Sequence, residues 1–219
     1  MELKGKIMNV LGDSITEGIG CSSKDKIYCS LLKDRLELAE VRNYGNSGKR
    51  IAAYRQPDGS WSDEQNFYDL AKGMDPQADI VVVFGGTNDF GHGNAHLGCF
   101  DDRETNTFYG ACHVLMRYLI EKYPEAVIVF MTPLHRDHEL ECYGNVQKPE
   151  KDAPLLEYVN AIRETAAYYS LPVLDLYAVS GIQPNIPVLR EKYCPDMLHP
   201  NDAGHKRIAD RLEYFLRSL

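Results

Sequence analysis

Five residues in this chain have the types and setting to do chemistry together: Ser14, Gly48, Asn88, Asp196 and His199. In Val10-Leu11-Gly12-Asp13-Ser14-Ile15-Thr16-Glu17-Gly18 a short apolar run ends in Gly-Asp-Ser, and a second glycine follows four residues after the serine. The pattern reads as a buried strand ending in a turn that lifts one hydroxyl to the rim of a sheet. Such a serine is inert until one group takes its proton and others stabilise an oxyanion. Asp196-Met197-Leu198-His199-Pro200 meets the first need, the imidazole accepting the proton while the carboxylate fixes its tautomer. Three donors can meet the second: the Gly48 N–H, which can approach a ligand closely because no Cβ intervenes, the neutral Asn88 amide, and the Ser14 N–H. Asp13 and Asp89 are expected behind them, holding the serine turn and Asn88 through backbone N–H groups.

Something must carry these residues to one place. Ile7 to Leu11 predicts a first strand, interrupted only by Asn9, and Tyr28 to Ala39 a helix with Leu31, Leu32 and Leu36 on one face. Val41 to Tyr44 predicts a second strand, closed by the turn Gly45-Asn46-Ser47-Gly48. The continuously apolar Asp79 to Phe84 has the make-up of a central strand covered on both faces, and Gly85-Gly86-Thr87-Asn88-Asp89 opens a polar loop after it. A helix over Phe108 to Leu119, a strand over Val127 to Met131, a helix from Leu155 with Asp152 near its cap, and a strand over 173–176 follow. Asn201 is placed to cap a last helix carrying Ile208, Leu212 and Leu216. Strands alternating with helices predict a parallel sheet in one three-layer α/β domain over residues 1–219. In such folds ligands sit beyond the carboxyl ends of the strands, where Ser14, Gly48, Asn88 and the 132–152 loop all fall.

The chain has 219 residues, 44% of them hydrophobic and 26% charged, with a net charge of −8. That balance argues against nucleic acid or an anionic membrane surface as the main partner. With no apolar leader and no stretch of transmembrane length, a cytoplasmic protein is expected. The six cysteines show no regular spacing, which predicts free thiols. His92, His96, Cys99, Asp101 and Asp102 form one cluster that invites a metal, and His135, Asp137 and His138 another. The glycines flanking His92 argue against a regular helix presenting two ligands, so polar loop roles are expected and no metal. His113 and His205 are expected to be structural. Lys49 and Arg50 stand either to meet a charged substrate group or as solvated surface, and Tyr54, Trp61, Phe90 and Tyr143 either as pocket walls or as loop packing.

Four blocks, Gly12-Asp13-Ser14, Asn43-Tyr44-Gly45-Asn46-Ser47-Gly48, Gly85-Gly86-Thr87-Asn88-Asp89 and Asp196-Met197-Leu198-His199-Pro200, occur in the order found in the SGNH, or GDSL-type, hydrolase superfamily. The sequence resembles that superfamily over nearly its whole length. The resemblance implies a flavodoxin-like sheet of five parallel strands. It implies Ser14 as nucleophile, His199 as general base oriented by Asp196, and Ser14, Gly48 and Asn88 as the oxyanion hole. It further implies hydrolysis of a small-molecule ester without a metal or organic cofactor. A short acyl group on a small polar or carbohydrate molecule is the expected substrate. Lysophospholipase, thioesterase and acyltransferase chemistry, and a non-catalytic binding module, are the alternatives that the same framework accommodates.

Overall fold

Residues 2–56, 58–92, 95–142 and 153–219 are described by the computed structural model. Five strands, β1 (Ile7–Gly12), β2 (Glu40–Gly45), β3 (Ile80–Phe84), β4 (Val127–Met131) and β5 (Val173–Leu174), run parallel in the order β2-β1-β3-β4-β5. Side chains alternate along each strand, so every strand serves two cores. Met8, Val10, Val82 and Val129 pack with α2 (Tyr28–Arg35) and α9 (Asp202–Ser218) on one face. Leu11, Val81, Val83 and Phe130 pack with α3 (Phe67–Lys72), α5 (Phe108–Lys122) and α6 (Leu155–Tyr168) on the other. Burial on both faces is why β3 must be apolar throughout. The result is the three-layer α/β/α, flavodoxin-like arrangement.

Asn9, the one polar residue in β1, is fully buried and acts as a tie: its amide donates to the Asp75 carbonyl at 2.8 Å. Asn201 caps α9, accepting from the Ala203 and Gly204 N–H groups at 3.1 Å each. At the head of α6 the cap position is Pro154, while Asp152 lies outside the described residues.

The elements differ from the periodicity-based reading at turns. Helix α2 stops at Arg35, four residues short of Ala39, because Glu37 adopts φ 52° and the Ala39 N–H is taken by the Lys6 carbonyl. Strand β5 stops at Leu174, where Asp175 caps a short helix α7 (Leu176–Val179). Helix α8 (Pro187–Tyr193) occupies a stretch without apolar periodicity. Two more short helices, α1 (Ser14–Glu17) and α4 (Thr87–His92), start just beyond β1 and β3. All six cysteines are free, and no helix among the described residues is long and apolar enough to cross a membrane.

Helix α1 folds back onto the end of β2 at a place where only hydrogen fits. A Cβ on Gly45 would fall on the backbone of Thr16 and Glu17. Gly45→Ala is therefore expected to destabilise the protein by about 1–3 kcal/mol and to displace the serine turn, because backbone cannot yield as a flexible side chain can. Urea unfolding measures the first effect; a variant with unchanged midpoint would show that the contact is soft.

Candidate active site

The serine turn begins with Asp13, whose carboxylate accepts from the Ile15 N–H at 3.0 Å and so caps α1. Ser14 is the first residue of α1 and is 7% exposed, with its hydroxyl at the strand-end rim. The Ser14 Oγ lies 3.0 Å from His199 Nε2, and His199 Nδ1 lies 2.7 Å from Asp196 Oδ2. A carboxylate can only accept, so the Nδ1 position carries the proton and the Nε2 lone pair faces the hydroxyl. The other Asp196 oxygen accepts from the Leu198 and His199 N–H groups at 2.9 and 2.6 Å. Burial works against ionisation of Asp196, but these N–H groups and the imidazole outweigh it and hold the carboxyl below its usual range. Met197 bends this loop with φ 67°, a conformation that few side-chain-bearing residues adopt.

The loop after β2 is tied to the serine turn at several points. The Asn43 amide donates to the Thr16 carbonyl at 2.7 Å, Asn46 N–H to the Gly12 carbonyl at 3.0 Å, and the Ser47 N–H and hydroxyl both to the Glu17 carboxylate. Gly48 then takes φ 76°, which needs a glycine even though nothing crowds the space a Cβ would fill. From α4 the Asn88 amide donates to the Lys49 carbonyl at 3.0 Å, which holds the side chain beside Gly48 and leaves its second hydrogen for a ligand. The ends of β1, β2 and β3 thus deliver the hydroxyl and the N–H donors at Gly48 and Asn88, and the segment between α8 and α9 brings the imidazole that faces the hydroxyl. Asn43 and Ser47 of the second block, with Glu17 three residues after the serine, lock the two turns together.

Beneath this surface lies a layer of buried charge. Asp89 accepts from the Ile51 and Ala52 N–H groups at 3.1 and 2.9 Å, so it fastens the segment after Gly48 to α4 and leaves Asn88 to the Lys49 carbonyl. Burial pushes the Asp89 carboxyl up to about 6, against the pull of those N–H groups and of Arg50. Burial likewise pushes Asp13 up to about 7, with the charge on Asp89 adding to it and the Ile15 N–H and Arg136 opposing. Arg136, which the sequence reading did not single out, is buried in the loop after β4 and donates to the Thr87 carbonyl and hydroxyl at 3.0 and 3.2 Å. No local pattern in the sequence marks it, since its partners come from α4. His92 is pushed down to about 4 by burial and by the positive charges of Arg50 and Arg136, and is neutral at pH 7.

The remaining candidates fall elsewhere. Arg50 is 7% exposed, which excludes the solvated-surface role, and Phe90 is fully buried in the α3/α5/α6 core, so it packs and does not line a pocket. Trp61 is exposed beside Arg55, Tyr54 stacks beneath Arg50, and Tyr143 lies outside the described residues. His92 ends α4 while His96 bridges to Thr107, and Asp102 accepts from the Cys99 N–H and the Thr107 hydroxyl. His135 pairs with Glu139 at 2.8 Å and His138 with Glu141 at 2.9 Å. Among the described residues no group of three such side chains is placed to hold a metal ion. His113 is buried against Tyr169 and the Phe100 carbonyl, and His205 accepts from the Tyr28 N–H at 3.2 Å; both are structural.

A parallel sheet whose strand-end rim joins a serine, an imidazole and a carboxylate defines the class of α/β ester hydrolases. Within that class the chain belongs to the GDSL-like lipase/acylhydrolase family, whose sequence model matches residues 10–207. No protein of curated function matches the sequence. A crystal structure of a Lactobacillus plantarum protein is 30% identical, covers 98% of both chains and superposes with a TM-score of 0.83. Another solved chain is 35% identical over 100% of this chain and 99% of its own, with a TM-score of 0.85. An acetyl xylan esterase, 20% identical over 96% and 98% of the two chains, shares the fold with a TM-score of 0.64.

The two raised carboxyls give the site a pH signature. In the unfolded chain an aspartate titrates near pH 4, so at intermediate pH the folded protein holds protons that the unfolded chain has released. The stability these groups contribute is fully present below about pH 4 and is lost as the pH rises through about 6 for Asp89 and about 7 for Asp13. Asp13→Asn keeps an oxygen for the Ile15 N–H and cannot ionise. Its melting temperature is expected to climb relative to the unmodified protein between about pH 5 and pH 8. A difference that stays constant over that range would mean that Asp13 is not raised.

Proposed function

We propose that the protein is a serine esterase that works through an acyl-enzyme and cleaves short-acyl esters of small polar or carbohydrate molecules. The observation that carries this reading is the unbroken alignment of Ser14 Oγ, His199 Nε2 and Nδ1, and Asp196 Oδ2, at 3.0 and 2.7 Å. Ser14 attacks the ester carbonyl while His199 takes its proton, and Asp196 stabilises the imidazolium that forms. The oxygen of the tetrahedral intermediate is received by the Ser14 and Gly48 N–H groups and the Asn88 amide. His199 returns the proton to the leaving alcohol, then activates water against the acyl-enzyme. No step in this sequence calls on a metal or an organic cofactor.

Support for a short acyl group comes from the polar segments that follow the oxyanion donors, Lys49-Arg50 and His92. The acetyl xylan esterase among the structural relatives acts in the same chemical territory by its name. Fold alone does not select a substrate, so the reading rests on the rim residues.

Ser14→Ala is expected to abolish release of 4-nitrophenol from 4-nitrophenyl acetate while the circular dichroism spectrum and melting temperature are retained. Retained turnover would remove Ser14 from the mechanism. Asp196→Asn leaves the loop's hydrogen bonds largely possible but no longer selects the imidazole tautomer, and a fall in kcat on the order of 10⁴-fold is expected. Asn88→Ala removes one oxyanion donor and is expected to cost about 100- to 1000-fold in kcat with a small change in KM. An effect confined to KM would place Asn88 in substrate binding instead.

A further inference from the structure

Arg50 is a buried cation near the oxyanion donors whose guanidinium hydrogens are left unpaired by the described fold. It follows Gly48 by two positions, is 7% exposed, and its Nε is sealed from solvent without a hydrogen-bond partner. Its guanidinium makes no hydrogen bond or ion pair with any described residue; its flat face lies 3.6 Å from the Tyr54 ring centre. The nearby carboxylates are committed elsewhere, Asp89 to the Ile51 and Ala52 N–H groups and Glu64 to Lys49 at 3.2 Å. Both feel the Arg50 charge, yet neither accepts a hydrogen bond from it, and leaving a buried charged donor unpaired costs a few kcal/mol. That cost is offset when an anion arrives in the bound state. Stacking on tyrosine presents the guanidinium edge in a fixed plane, the geometry that pairs with a planar carboxylate.

The position of this cation relative to the serine follows from the two cores. His199 reaches Ser14 from the layer of α2 and α9. Ile51, Ala52 and Phe90, which flank Arg50 and Asn88, belong to the opposite layer of α3, α5 and α6. The imidazole must stand by the leaving alcohol in order to protonate it, and the oxyanion must meet the Gly48 and Asn88 donors, so the acyl group is left on the side of the site away from His199. His92 stands there as well: it follows Asn88 by four residues on α4, and residues so spaced share a helix face. Arg136 adds positive potential behind it, with its Nη1 against Gly91 and on the Thr87 carbonyl.

We propose that Arg50, with His92 beside it, forms a carboxylate-binding subsite on the acyl side of the serine, and that the preferred substrates are esters whose short acyl chain ends in a carboxylate. The subsite deepens the esterase reading and rests on it. The acyl group of a dicarboxylic half-ester keeps its free carboxylate on Arg50 while the ester carbonyl lies in the oxyanion hole. Hydrolysis then releases the alcohol and a dicarboxylate.

The test compares monoethyl glutarate with ethyl pentanoate, which have acyl chains of equal length, by following ethanol release. The unmodified protein is expected to favour the glutarate half-ester in kcat/KM by about tenfold or more. In Arg50→Met the ratio of the two values is expected to collapse to about one, and Arg50→Lys should restore part of it. A ratio of one in the unmodified protein, or a ratio unchanged in Arg50→Met, overturns the proposal. Calorimetric binding of free glutarate to Ser14→Ala gives a second readout that needs no turnover, and the Arg50→Met/Ser14→Ala protein should lose it. If glutarate binds and is lost with Arg50 but neither ester is hydrolysed, the subsite stands and the esterase reading falls. If both esters are hydrolysed at equal rates and glutarate does not bind, the subsite falls and the esterase reading stands.

Discussion

Ser14 and His199 are separated by 185 residues of chain, and the 3.0 Å contact between them depends on how α9 seats beside α2. Tyr28, fully buried at the start of α2, connects the two sides. Its hydroxyl is 2.9 Å from the Thr16 hydroxyl in the serine turn, and its N–H donates to His205 in α9 at 3.2 Å. Burial pushes His205 down to about 4, so the ring is neutral and its Nδ1 is free to accept. At the surface, the Ser22 N–H and hydroxyl both reach the Asp202 carboxylate, at 2.8 and 2.6 Å. The apolar stripe of α9 supplies the driving force, and these polar contacts select one seating among several that hydrophobic burial alone would permit.

On the opposite layer the constraint is electrostatic. Asp13 and Asp89 are both fully out of water under the serine, each taking backbone N–H groups that would otherwise lack partners. Loops built this way are rigid because their amide groups are held by buried acceptors. An oxyanion hole needs that property, since donors already in place cost no reorganisation as charge develops. The same burial raises both carboxyls, while the charges of Arg50 and Arg136 pull against that rise at Asp89 and Asp13 respectively.

How much of this is legible in the chain itself can be judged residue by residue. Strands β3 and β4 and the cap of α9 are written locally, as an unbroken β-branched run, an apolar stretch closed by Thr-Pro, and an asparagine ahead of an amphipathic stripe. Helices α1 and α4 are not, because four and six residues are too few to show a period. The end of α2 was hidden as well, since a glutamate in a left-handed conformation is imposed by strand pairing further along. Asp89 illustrates the difference in the site: its spacing from Asn88 suggested service to its neighbour, whereas its partners, Ile51 and Ala52, come from another strand-end loop.

The sequence by itself determined the kind of chemistry, the order of the four blocks and the alternation of strands and helices, because motif identity and hydrophobic period are local properties. Tertiary structure decided which charges lost their water. Arg50 and Arg136 look alike in a sequence, as solvated cations on polar loops, and only packing shows that both are buried and that Arg136 finds hydrogen-bond partners in Thr87 and Asp137 while the Arg50 Nε finds none. Desolvation depends on everything that closes around a group in space, so it cannot be read from the residues on either side of it.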